Sequence, residues 1–227
     1  MTTGAKSDGT VPALCLSFVG GYVDTFSFVT LFGLFTAHVT GNFVLIGAAL
    51  AGQGHASVVG KLLALPVFVL GVAATRAWQR ANDSAVALVL LQGAGLIAFM
   101  AGGLTLGPFA DAGGLGAIAV GLVGVIAMAV QNAAARSTFA ALSPSTVMTG
   151  NVTQVTMDLV DMLRGDRDSD AAPARIARLW PPIVAFGSGA ISAGVLAAPL
   201  GFWALALPIL ALAILALRLG DRRTVSA

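Results

Sequence analysis

Six runs of about 20 residues carry almost no charge, and they constrain this chain more than any motif in it: Val11–Leu34, Val58–Trp78, Ser84–Leu106, Leu115–Ala135, Leu179–Leu196 and Phe202–Leu217. At 1.5 Å per residue, about 20 helical residues cross the ~30 Å hydrocarbon layer of a bilayer. Inside that layer every backbone N–H and C=O must find its partner within the protein, which a helix achieves by itself. The fold expected is an all-α polytopic membrane protein. Composition agrees: 57% of the 227 residues are hydrophobic and 10% charged, where a soluble domain carries about 25% charged residues. So little polar surface does not wrap a water-facing globule.

The formal charge of +2 does not point to nucleic acid. The Arg residues stand at the ends of the apolar runs, where they meet lipid headgroups. The partners expected are the bilayer and a small solute, with room for a homo-oligomer. Cys15 is the single cysteine, so neither an internal disulfide nor a Cys-based metal site is expected. No cofactor signature is present. The first ten residues are polar, and the apolar run after them is too long for a signal-peptide core and lacks an A-x-A site. The first span is expected to stay uncleaved.

Two further segments, His38–Gly52 and Ser145–Leu163, each hold the tripeptide Thr-Gly-Asn, at Thr40-Gly41-Asn42 and Thr149-Gly150-Asn151. The duplication extends outward. Pro66 and Gly71 follow the first triplet as Pro182 and Gly187 follow the second, and polar Asp24 and Asn132 precede them at similar distances. One integral membrane domain, 1–227, is expected, with pseudo-symmetric halves at roughly 11–107 and 114–218.

Charge bias distinguishes two topologies. If the triplet segments are re-entrant, there are six spans; with the N-terminus inside, Lys6 and all ten Arg residues are cytoplasmic and Lys61 alone is outside. If those segments cross, there are eight spans and Arg76, Arg80 and Arg136 move outside. The six-span arrangement is favoured, with cytoplasmic termini. Three spans per half invert the second half relative to the first, the plan of many transporters.

GGYVDTFSFVTLFGLFTAHVTGNFVLIG and AMAVQNAAARSTFAALSPSTVMTGNVTQV resemble the two signature regions of the YoaK-like family of small bacterial inner-membrane proteins, a domain of unknown function. The resemblance covers nearly the whole chain. It implies a bacterial plasma-membrane location and about six spans, and it implies no substrate.

Matched polar interruptions in two halves mark a transporter or channel. Gly41 and Gly150 permit unusual backbone geometry. Thr40 or Asn42, and Thr149 or Asn151, are placed to cap half-helices whose exposed N–H groups would make a mildly electropositive site near the midplane. Asp24 is costly within a span and is read as a proton relay or substrate contact; bonding to Thr25 or Ser27 is its structural alternative. His38 can pair with Asp24, although an interfacial position facing water is expected. Gln131 and Asn132 are neutral counterparts or helix glue. Asp158 and especially Asp161 are expected to pair with Arg residues of the cytoplasmic stretch Arg164–Arg178, which holds the charged linker 164–175. The candidate substrate-binding residues are therefore Asp24, His38, Thr40, Gly41, Asn42, Gln131, Asn132, Thr149, Gly150 and Asn151. The function expected is passage of a small polar or anionic metabolite, with proton coupling through Asp24. A structural or assembly protein is the alternative, carried by small-residue faces such as Gly189 with Ala193 and Ala190 with Gly194. An intramembrane enzyme is disfavoured, because no nucleophile or metal motif accompanies His38 and His55.

Overall fold

The computed structural model describes residues 9–52, 58–82, 84–143, 145–146, 148–165 and 170–225. Lys6, His55 and residues 166–169 of the linker read as 164–175, with Arg167 among them, lie outside the described residues. Among the described residues the regular elements are helices: α1 Thr10–Thr30, α2 Gly41–Leu50, α3 Val58–Gln79, α4 Ala85–Leu106, α5 Leu115–Ala135, α6 Met148–Arg164, α7 Ala172–Leu200 and α8 Ala206–Val225, with a 3-10 turn Gly201–Leu205 before the last.

Helices α1, α3, α4 and α5 and the continuous stretch Ala172–Asp221 are long and apolar enough to cross a membrane. Fifty residues of straight helix would measure about 75 Å, far more than one bilayer core. The chain instead reverses at Gly201, whose φ of +52° suits a residue without a side chain. Directions follow from contacts along α1. Its start, at Gly9–Ala13, lies beside Ala177–Pro182, and farther on Gly21 and Tyr22 meet Phe186 and Gly189, so α7 runs parallel to α1. Tyr22 Oη donates to the Ala204 carbonyl and Cys15 Sγ to that of Ala211, so α8 runs antiparallel to α1.

The same relations hold around α5. Gly60 faces Ile118, Gly71 faces Ala129, and Gln79 Nε2 donates to Ser137 Oγ, which sets α3 parallel to α5. Gly95 against Ala127 and Gly102 against Val120 set α4 antiparallel to it. Helices α4 and α8 pack on each other, α2 rests on α3, and α6 on α7.

Lipid tails are as apolar as leucine, so helix association in a membrane relies on close backbone approach and shape. A Cβ built on Gly21 would strike the Phe186 carbonyl, and one on Gly189 the Phe18 carbonyl. Gly189, Ala193 and Ala197 form the buried seam of α7, while Gly194 is exposed. The sequence-based pair Ala190 and Gly194 is thus not the packing face. Behind the seam, Phe26, Phe99 and Phe202 meet edge to face with centroids 5.4–6.0 Å apart.

Three expected boundaries are corrected, and the last span starts at Ala206 rather than Phe202 because Gly201–Leu205 is a 3-10 turn. The first span ends at Thr30 rather than Leu34, because Phe32 and Gly33 adopt φ of +55° and +79° and turn the chain back. The fifth begins at Ala172 rather than Leu179, its polar first turns being held by α6.

Gly189→Leu should lower the stability of the detergent-purified protein by about 3 kcal/mol, the scale of overpacking, read as a lost or strongly lowered melting transition. Gly194→Leu should leave the transition within a degree or two of wild type, on the scale of surface substitutions of about 0.5 kcal/mol.

Candidate functional site

After α1 turns back at Phe32 and Gly33, residues 35–38 run alongside its last turns. Irregular backbone at this depth must have its N–H groups satisfied by protein. Asp24 does that. Its Oδ1 accepts from the N–H of Thr36 and of Ala37, both at 2.8 Å, and more weakly from that of His38 at 3.4 Å. Its Oδ2 shares a 2.6 Å hydrogen bond with His38 Nδ1. Ser27 Oγ donates to the Asp24 carbonyl and pairs with Thr36 Oγ1. Asp24 is 4% exposed, and the His38 side chain 36%. His38 therefore pairs with Asp24 rather than simply facing water, its ring edge-on to Phe186. Ser27, not Thr25, is the local hydroxyl partner, and it binds the backbone rather than the carboxyl.

The first triplet contributes by its Asn. Asn42 Oδ1 accepts from the Phe35 N–H while its Nδ2 donates to the Phe35 carbonyl, both at 2.9 Å. Asn42 is thus no helix cap, because its amide reaches seven residues back; Thr40, at the N-cap position of α2, makes no side-chain cap bond and is exposed. Gly41 has an ordinary helical φ and abuts the Phe35 ring.

In the second triplet Asn151 is buried and its Nδ2 donates to Ser143 Oγ at 2.8 Å. Thr149 and Gly150 are exposed, and a Cβ on Gly150 would meet nothing. Neither triplet glycine needs the special backbone freedom expected of it. Upstream, Asn132 Oδ1 accepts from Thr146 Oγ1 at 2.8 Å, so it holds the second loop as Asp24 holds the first. Gln131 Nε2 donates to the Leu16 carbonyl and to Ser145 Oγ, and its Oε1 accepts from Gln92 Nε2.

The two loops meet on α1. Ser145 packs its carbonyl against Gly20, where a Cβ would approach to 2.9 Å, and the Thr146 backbone bonds the His38 ring. Asp24, His38, Gln131 and Asn132 therefore share one buried polar region, with Asn42 and Asn151 bracing its two loops. Thr40, Thr149 and Gly150 point away from it. Sequence reading missed Thr36, Gln92, Ser145 and Thr146. Of these only Gln92 had a signal, a lone amide in an otherwise apolar run. It also missed Lys61, which is 3% exposed and donates to the Phe32 carbonyl at the strained turn.

Among the described residues Asp158, rather than Asp161, makes the ion pair with the linker side. The Arg175 guanidinium grips its carboxyl at 2.6–3.1 Å, and Gln154 donates to it at 2.9 Å. The bond from Arg175 holds Asp158 below the usual carboxylate range against the desolvation that would raise it. This pair ties α6 to α7.

Asp24→Ala should orphan the N–H groups of residues 36–38 and cost about 3 kcal/mol, the scale of leaving buried donors unsatisfied. Asp24→Asn, which keeps one acceptor oxygen, should cost clearly less. Thermal melts of both purified variants check this; equal losses would mean that the N–H bonds are not what the carboxyl supplies.

A family model described as a protein of unknown function, DUF1275, matches residues 12–218. Among curated proteins, the chain is similar to the UPF0700 transmembrane protein YoaK of Bacillus subtilis (strain 168), with 38% identity over 72 residues. That stretch covers 32% of this chain and 31% of the relative, so it spans less than a third of the relative's length. No solved structure matches the chain. With a helical fold holding several membrane-length apolar helices and a family match over most of its length, the chain belongs to the DUF1275 family of multi-pass membrane proteins.

Proposed function

We propose that this protein is a transporter or channel for a small polar or anionic metabolite in the bacterial plasma membrane. It has six spans, cytoplasmic termini and two inverted halves. The observation that carries the reading is the meeting of two interrupted segments, His38 with Thr146 and Ser145 with Gly20, at one buried polar region. Broken helices converging on a polar centre are how transporter folds make a solute site without exposing backbone to lipid.

Helix pairing supports the inverted halves. Exchanging α1–α4 with α5–α8 turns the parallel pair α1 and α7 into α5 and α3, and the antiparallel pair α1 and α8 into α5 and α4. Helix direction supports six spans. Lys61 reaches Phe32 at the end of α1, whereas Arg76, Arg136 and Arg218 stand at the opposite ends of α3, α5 and α8. The positive-inside rule makes that second face cytoplasmic. The Asp24–His38 pair is the proposed proton-coupling unit, since it joins a buried carboxyl to a half-exposed imidazole.

Cysteines placed at Arg76 and at Arg136 in a Cys15→Ser background should resist an impermeant thiol reagent applied to intact cells. Labelling of both from outside would overturn the six-span orientation. The solute is sought by comparing metabolites of cells with and without the protein, then measured as uptake into proteoliposomes. Asp24→Asn should retain exchange but lose gradient-driven accumulation, because an amide keeps the shape of the carboxyl and cannot titrate. Wild-type uptake that ignores an imposed proton gradient would remove proton coupling.

A further inference from the structure

Asn132 borders two adjoining cavities of about 390 and 290 Å³ on the face where α3 and α5 end. Arg136 lines both, and Arg76 lines the larger. Because α3 and α5 run parallel, their last turns bring these two guanidinium groups to one mouth. Arg136 lies one turn beyond Asn132 on α5, so the cation and the amide share a helix face. No acidic side chain lines either cavity among the described residues, and neither Arg has a carboxyl within ion-pair distance there.

Neutral donors deepen the site. Ser145 Oγ accepts from Gln131, which leaves its own hydrogen free, and Asn132 Nδ2 spends one of two hydrogens on the Met128 carbonyl. Apolar walls at Phe68, Val72 and Leu142 keep the local dielectric low and focus the field of the two cations. Guanidinium forks match the geometry of carboxylate and phosphate oxygens.

We infer that the Arg76–Arg136–Asn132 vestibule binds a small anion bearing a carboxylate or phosphate group. Its use as the entry site for solute rests on the permeation reading above, while its existence rests on the cavity lining alone. The vestibule ends at Thr146, which bonds both Asn132 and His38, so an anion seated there lies one side chain from the polar centre.

The test reads the field of the site directly. In a Cys15→Ser background, Val72→Cys and Ala140→Cys place a thiol in the larger and smaller cavity, and Asn82→Cys supplies an exposed reference thiol. Purified full-length protein in neutral detergent is treated with anionic 2-sulfonatoethyl methanethiosulfonate and, separately, with the cationic trimethylammonium analogue. The anionic-to-cationic rate ratio at 72 and 140 should exceed that at 82 by about tenfold, the lower end of electrostatic focusing. Adding Arg136→Gln should return the ratio to the reference value. Arg76→Gln should do so at 72, and a melting transition for each variant close to that of its parent shows that these proteins remain folded.

Succinate or inorganic phosphate at constant ionic strength should slow labelling at 72 and 140 but not at 82. Slowing by phosphatidylglycerol alone would assign the same anion chemistry to a lipid headgroup. A ratio equal to the reference, or one indifferent to Arg136→Gln, overturns the site whatever uptake shows. A raised ratio in a protein that moves no solute keeps the site and removes the transport reading.

Discussion

Three backbone N–H groups of an irregular loop end on one oxygen of Asp24, and the rest of the site depends on that bond set. Backbone at membrane depth has no water to fall back on. Without the carboxyl, residues 36–38 could not lie against α1. The loop would not reach Thr146, and α2 would not start beside the bundle interior. A carboxyl within a hydrophobic helix is usually read as a reactive group. Here its geometry is first that of a clamp, and any chemistry it performs has to work through bonds that already hold the loop.

The second half solves the same problem without charge. Asn132 holds Thr146 through a single amide oxygen, and Gln131 adds bonds to Leu16, Ser145 and Gln92. The first loop has a strong, concentrated anchor; the second has several neutral ones spread over three elements. Neutral bonds between membrane helices are each worth about 1 kcal/mol or less, so the second loop is the easier of the two to release.

Small residues let these loops fit. Gly20, Gly21 and Gly189 bring α1, α7 and the second loop within backbone contact, and no side chain could replace them without displacing a carbonyl. The same close approach puts backbone of α1 and α7 in direct contact. Such close backbone approach at small residues is how helices associate in a membrane.

The apolar runs by themselves determined a helical membrane protein, since length and hydrophobicity set what a bilayer accepts. The spacing of Asp24 and Asn132 from the two triplets marked a duplication, and convergence of the two triplet segments was the reason to expect one polar site. Only the tertiary structure decided which residues meet there. Thr40, Thr149 and Gly150 sit in the right motif but are exposed, Thr40 at the cap position before α2 and the other two on the outer face of α6, a matter of helical phase that the triplet itself does not advertise. His38 turned inward because the strained turn at Phe32 and Gly33 folds its loop back, and Ser145 and Thr146 joined because a loop 14 residues beyond Gln131 and Asn132 returns to α5. Hydrophobic pattern encodes what faces lipid, whereas pairing among buried polar groups depends on where distant backbone segments cross.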